Sequence, residues 1–203
     1  MTATEPNAAR PWLNADLPTG ERIQLLLNAM TIEEKAGLCF HSMIGIGDLT
    51  EPNPVFGTPA PVDLVERRHL SHFNLVGGAI TAREIAEWHN ALQEVAAATR
   101  LGIPVTVSSD PRHSFTDNPG TAMMAGPFSQ WPEPLGLAAI GDEELVERFG
   151  DIARQEYVAV GLRVALHPQV DLATEPRWSR QAATFGEDAE LAGRLGSAYV
   201  RGF

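Results

Sequence analysis

One cysteine, Cys39, stands in 203 residues. That excludes an internal disulfide and any zinc site built from several cysteines, and a lone thiol of this kind is expected among small core side chains. Positive charge is scarce as well. Fifteen Lys+Arg face 26 Asp+Glu, for a net charge of −11 and a pI near 4.9. An acidic balance argues against a nucleic-acid phosphate backbone and against an anionic membrane surface as partners. No apolar run approaches the about 18 uninterrupted residues of a spanning helix. The opening MTATEPNAARPW lacks the basic and apolar regions of a secretory signal. This predicts a cytoplasmic chain, or a secreted or periplasmic one if a leader has been removed. The paired glycines at 77 and 78 make no G-x-G-x-x-G, and there is no P-loop, G-x-S-x-G elbow, H-x-H or H-E-x-x-H.

What is there is ordinary globular usage, 44% hydrophobic and 20% charged. Disorder, collagen and coiled coil are excluded as the main state, and the length suits one domain or part of a larger one. Residues 21–30 have Ile23, Leu26, Leu27 and Met30 at helical spacing. Thr31 and Glu34 form a T-x-x-E capping box for a short turn over 32–37. Residues 37–44 are the first apolar run and a candidate first strand. Residues 45–68, with Pro52, Pro54, Pro59 and Pro61, read as loop.

Residues 75–80 read as a buried strand. Thr81 and Glu84 then open a helix to about residue 99, with Ile85, Trp88, Leu92 and Val95 on one face. Gly102 stops it, and 103–109 is the third strand. The proline-rich stretch 111–135 reads as irregular. Asp142 caps a helix to about residue 160, with Leu145, Phe149, Ile152 and Glu156 along one side. Residues 162–166 form the fourth strand, 167–186 a polar loop and 187–200 a last helix.

Strands alternating with helices predict an α/β fold with a parallel sheet and right-handed crossovers. In such sheets the chemistry gathers at the C-terminal strand ends. By this reading those ends present His41, Asp110, His113, His167 and Asp171. Asp110 follows IPVTVSS directly, as a ligand-gripping carboxylate or a turn-forming one. In EPRWSR, Arg177 and Arg180 flank Trp178. Two guanidiniums and an indole suit a hydroxyl-rich ring, but they equally suit a surface loop in which the arginines pair with Asp171, Glu175 or Glu187. The histidines with Asp110 and Asp171 offer a metal set without supporting spacing, whereas His69, His72 and His89 read as surface or helix-flank residues.

Five stretches, in order, carry a family resemblance: MTIEEKAGL (30–38), RLGIPVTVSSDPRHS (100–114), WPEPLGLAAIGDEELVERFG (131–150), VDLATEPRWSR (170–180) and TFGEDAELAGRLGSAYVRGF (184–203). From about residue 17 onward the chain resembles the N-terminal barrel domain of glycoside hydrolase family 3, the β-glucosidase and β-xylosidase group. The resemblance implies a (β/α)8 TIM-type barrel. Residues 1–20 would be an extension, and 21–203 would supply roughly the first four βα units. It implies a retaining β-glucosidase-type hydrolase with a β-glucoside as substrate and no cofactor or metal.

Asp110 matches the aspartate that grips the distal hydroxyls of the non-reducing glucose, and Arg180 the arginine that binds the same ring. His113 and Asp171 match supporting positions of the family, and Trp178 stays a candidate substrate-binding residue through its indole face. Ser179 stands where the family commonly has glycine, Ala183 where it commonly has glutamate, and SSDPRHS replaces the commoner D-A-x-H-G form. The family's lysine-histidine pair, nucleophilic aspartate and acid/base are expected downstream of residue 203 or on a separate chain. The 203 residues alone are therefore expected to be inactive, with exposed edges on strands one and four. A homo-oligomer is left open. Rival readings are a non-catalytic sugar-binding half-barrel, a metal-dependent barrel hydrolase and, within the family, a β-N-acetylglucosaminidase.

Overall fold

In a computed structural model the described residues are 10–77, 81–109, 113–114 and 126–203. Four strands, β1 (His41–Gly45), β2 (His72–Val76), β3 (Thr106–Ser109) and β4 (Val164–Ala165), form one sheet in the order β1-β2-β3-β4, every neighbour pair parallel. The expected α/β fold with a parallel sheet is therefore present. The register aligns Met43, Asn74, Ser108 and Val164 in one row across the sheet. Side chains alternate between faces. Ile44, Phe73, Leu75 and Val107 point to the helices, while His41, Met43, His72, Asn74 and Val164 belong to the other face, of which His41, Met43, His72 and Val164 are exposed.

The helices are α1 (Thr19–Ala29), α2 (Ile32–Gly37), α3 (Pro61–Glu66), α4 (Ala82–Ala98), α5 (Pro134–Ile140), α6 (Glu143–Ala159) and α7 (Ala189–Gly202). Their starts are written locally. Thr31 with Glu34 and Thr81 with Glu84 make the two expected capping boxes. Asp142 and Asp188 each accept a backbone N–H three residues on, opening α6 and α7. The main core packs Ile44, Phe73, Leu75 and Val107 of the sheet against Leu64 of α3, Ile85 and Leu92 of α4, and Tyr157 of α6. A second cluster joins Leu137, Phe149, Phe185, Leu195 and Tyr199 of α5, α6, α7 and the segment before α7. No described helix is long and apolar enough to cross a membrane.

Several expectations need correcting. Residues 37–40 are not strand: α2 runs to Gly37, and β1 begins only at His41. Cys39 therefore falls in the intervening turn and is exposed rather than in the core. Gly37 packs so tightly on the backbone of Arg68 and His69 that a Cβ there would overlap their carbonyls. β2 starts at residue 72, earlier than the expected 75. Pro61 and Pro134, read as loop, each stand in the first turn of a short helix, where a missing N–H costs nothing.

On α1 the face is rotated from the expected one. Leu25, Leu26 and Ala29 pack towards Trp12, Met30 and Leu101, and Ile23 and Leu27 are left outward. The cause is the 3-10 turn Pro11–Leu13, which buries Trp12 there and lets its indole N–H donate to the Leu101 carbonyl. Beside it the Arg10 guanidinium donates to the carbonyls of Ala97, Thr99 and Arg100, satisfying the C-terminal end of α4.

Candidate functional site

Parallel strands share a C-terminal edge, so the chain leaves β3 and β4 on the same side of the sheet, into connections 110–133 and 166–188. Ser109, the last residue of β3, is fully buried, and its Oγ donates to the Leu75 carbonyl at 3.3 Å. Asp110 comes next and lies outside the described residues.

His113 is 2% exposed and adopts a left-handed conformation, φ 47°. Its ring packs against Tyr157 at 4.8 Å, Phe128 at 5.2 Å and Phe149 at 6.4 Å between centroids. Nε2 lies 2.9 Å from Glu156 Oε2 of α6, with that oxygen off the line of the ring N–H. Burial pushes the imidazole below its ordinary pKa, and the Glu156 carboxylate pulls the other way. Glu156 also accepts from the Ser129 N–H at 3.1 Å and from its hydroxyl at 3.0 Å. The Trp131 indole donates to Ser129 Oγ at 3.0 Å, and the Trp131 backbone N–H to the His113 carbonyl at 2.6 Å. Ser114 Oγ donates to Glu133 at 2.9 Å. His113 is thus held from behind, inside an aromatic box.

The connection after β4 is pinned at both limbs. Gln169 pairs with Thr184, and the Ala173 N–H donates to the Gly186 carbonyl. Its return limb is core: Ala183, Thr184 and Phe185 are buried, and Gly186 takes the left-handed turn, φ 95°. The TFGED stretch therefore supplies two anchors, a turn and the Asp188 cap of α7. Between the limbs, Asp171 and Arg180 are exposed and Trp178 is half-buried. The two arginines differ. Arg177 is committed to Glu175, with Nε 2.8 Å and Nη2 2.9 Å from its two oxygens. Arg180 has no ion pair among the described residues. Asp171, Trp178 and Arg180 share this loop but make no side-chain hydrogen bond to one another, or to His113, among the described residues.

His41 does not belong to this edge. Because α2 extends to Gly37, His41 is the first residue of β1, at the opposite end of the sheet. There it lies 3.1 Å from Ser108 Oγ and edge-on to His72 at 6.4 Å. His167, by contrast, does follow β4, with its ring edge-on to Tyr199 at 4.8 Å. Among the described residues no group of three or more His, Cys, Asp or Glu is placed to hold a metal.

A sequence profile of the Glycosyl hydrolase family 3 N terminal domain matches residues 60–203. The chain belongs to glycosyl hydrolase family 3. β-Glucosidase C of Emericella nidulans is 50% identical over 190 residues, covering 94% of this chain and 30% of that protein. The periplasmic β-glucosidase/β-xylosidase of Dickeya chrysanthemi is 47% identical over 95% of this chain and 30% of its own length. The crystal structure of a β-glucosidase from Listeria innocua in complex with glucose superposes with a TM-score of 0.63 at 26% identity, over 90% of this chain and 23% of that one. This family 3 chain thus spans about 30% of the length of the curated relatives it matches. The superposition and the profile match together place the parallel α/β sheet in the family's N-terminal domain.

Reading the sequence alone did not find the roles of Glu133, Ser129 and Trp131 behind His113. It did contain a signal for Glu156, a carboxylate in line with the apolar positions of α6.

Proposed function

We propose that the protein is a retaining β-glucosidase-type hydrolase that releases a terminal non-reducing β-D-glucose, or a closely related sugar, from β-glucosides. The observation that carries this reading is the 50% identity to a β-glucosidase over 94% of the chain. The chain forms the first part of a (β/α)8 barrel whose remaining strands cover the open face of the sheet. This accords with the rule that parallel sheets have both faces buried. The connections after β3 and β4 form one wall of the glycone pocket.

On that wall Asp110 accepts from two ring hydroxyls and Arg180 donates to the same ring. Charge-assisted bonds of both polarities fix a polyol more firmly than neutral ones. The guanidinium of Arg180, without an ion pair among the described residues, fits this role better than Arg177, whose fork is filled by Glu175. Trp178 offers an apolar face to the sugar, Asp171 a further acceptor, and His113 supports the wall from behind. The nucleophile and the acid/base lie outside residues 1–203. Retaining hydrolysis needs two carboxyl groups about 5–5.5 Å apart across the scissile bond, which form and then hydrolyse a glycosyl-enzyme ester. On this reading the 203 residues alone are expected to give no turnover.

The test uses the complete gene product with p-nitrophenyl β-D-glucoside. D110A and R180A are each expected to lower kcat/KM by about 100-fold or more, as loss of a charged hydrogen bond to substrate does. Wild-type kcat/KM in both variants contradicts the assignment.

A further inference from the structure

The connection after β1, residues 46–60, leaves the sheet by the same C-terminal edge as the connections after β3 and β4. It is pinned along its length. Asp48 Oδ1 accepts from the Thr50 N–H at 2.8 Å and from its hydroxyl at 2.7 Å. Asn53 and Thr58 exchange both backbone bonds, at 3.0 and 3.2 Å, and the Val62 N–H in α3 donates to the Leu49 carbonyl. Between this loop and the strand end lies a cavity of 300 Å³, with Ile44, Gly45 and Ile46 on one side and Pro52, Asn53 and Val55 on the other. That is the lower end of the range for small-molecule sites, about 300–1,000 Å³. Asn53 Oδ1 accepts from the Val55 N–H at 3.0 Å and the Phe56 N–H at 3.3 Å, so the other end of the amide must be its NH2. That Nδ2 makes no hydrogen bond among the described residues. Gly45 shows where it lies. The residue shares the open face with His41 and Met43, and a Cβ built on it would overlap Asn53 Nδ2. The amide is therefore folded over the open face of the sheet at the C-terminal end of β1, and the glycine makes room for it.

We propose that the 46–60 connection forms the aglycone side of the substrate pocket and that Asn53 is a specificity-determining residue there. Its Nδ2 donates to a hydroxyl of a sugar aglycone, and Val55, 80% exposed beside it, gives that ring an apolar contact. The proposal rests on the glucosidase reading above and deepens it, naming the leaving-group class as a hydroxylated ring. On the barrel reading the open face is the interior, so an amide folded over its C-terminal rim stands at the mouth where substrate enters. The end of β1 lies two strand spacings from the end of β3, about 10 Å along the sheet. A ring joined to the bound glycone through the scissile bond can bridge that distance. The loop's own bonds hold the donors in place before substrate arrives, which lowers the ordering cost of binding. A site built to bond a hydroxyl also discriminates against a leaving group that lacks one.

The experiment compares kcat/KM for cellobiose and for methyl β-D-glucoside in the complete gene product, with a melting curve for each variant. Cellobiose brings hydroxyls to the aglycone side; the methyl group brings none. N53A is expected to lower kcat/KM for cellobiose at least about fivefold more than for methyl β-D-glucoside. Any smaller preference, including equal losses on both substrates or no loss on either, overturns the proposal. Asn53 also holds its loop together, so V55D decides the matter if N53A does not fold. Val55 is exposed enough for its replacement to leave the fold intact. V55D is expected to lower the cellobiose value at least about threefold more than the methyl glucoside value, and an unchanged ratio overturns the proposal. R180A separates the two readings. A crippled R180A beside an unchanged ratio in N53A sinks only this inference, whereas an R180A with wild-type activity on both substrates sinks the glycone reading itself.

Discussion

At the scale of single residues, partners decide what a side chain is worth. Glu34 is a helix cap in sequence. In the fold it also binds the Arg100 guanidinium through both oxygens, and Arg100 holds its carboxyl below the usual carboxylate range. His113 is the opposite case, a titratable ring whose burial disfavours its charged form. An unfolded histidine titrates near 6.5, and burial lowers that value in the fold. Between the two values the unfolded chain therefore binds the extra proton. The native state keeps its full advantage above about pH 6.5 and loses it as the pH falls through the unfolded value towards the folded one. Asparagine tolerates the left-handed backbone and does not titrate. The gap in melting temperature between wild type and H113N is expected to narrow from pH 7.5 to pH 5, read by calorimetry in matched buffers. A constant gap would mean that the ring is not held neutral. Neither partnership could be read along the chain, because Arg100 and Glu156 meet their partners only through tertiary packing.

At the scale of elements, what was legible is what is encoded locally. Both capping boxes and the Asp142 cap lie where the sequence places them, since a cap is a bond between residues three apart. Strand limits drifted because a parallel strand is defined by hydrogen bonds to distant chain, and β4 keeps only two residues of the expected five. On α6 the buried line is Val146, Phe149, Gly150, Ala153 and Tyr157, about one position round from the expected stripe. The reason is Gly150, which sequence reading skips as featureless. A Cβ there would lie 2.7 Å from the Tyr199 carbonyl and 3.2 Å from the Phe203 nitrogen, so the glycine is what lets α7 approach.

G150A is accordingly expected to cost about 2 kcal/mol, a fall of about 6 °C in melting temperature for a chain of this size. Gly193 on the same helix pair is the control. It is exposed on α7, and nothing stands within 4 Å of a Cβ built there. G193A is expected to stabilise by up to about 1 kcal/mol through helix propensity alone. Equal effects from the two substitutions would refute the close-approach account. Of the candidate site, the 166–188 connection was legible only as a polar loop before a last helix; the burial of Thr184 and Phe185 and the Asp188 cap came from the fold, and the geometry around His113 depends on segments that no local rule brings together.

At the scale of the whole molecule, the sheet is finished on one side only. Its helix-facing row is buried, whereas on the other face Met43 is 45% exposed, Val164 43% and, two residues on, Leu166 67%. Parallel strands with an uncovered apolar face are a liability for self-association, and among the described residues β1 and β4 also leave two unpaired edges. If the proposed barrel reading holds, these side chains line its interior in the longer protein, where they are packed and dry. The two states make opposite demands on one substitution. In the 203-residue chain, V164K/L166K removes little buried area, so melting is expected to change by no more than about 1 °C while sedimentation shows weaker self-association. In the complete gene product the same pair would place two ammonium groups inside a close-packed core, at a cost of several kcal/mol, enough to unfold a domain whose total stability is about 5–15 kcal/mol. A complete protein that carries both lysines and melts like wild type would show that this face never becomes an interior, and the eight-stranded reading would fall with it.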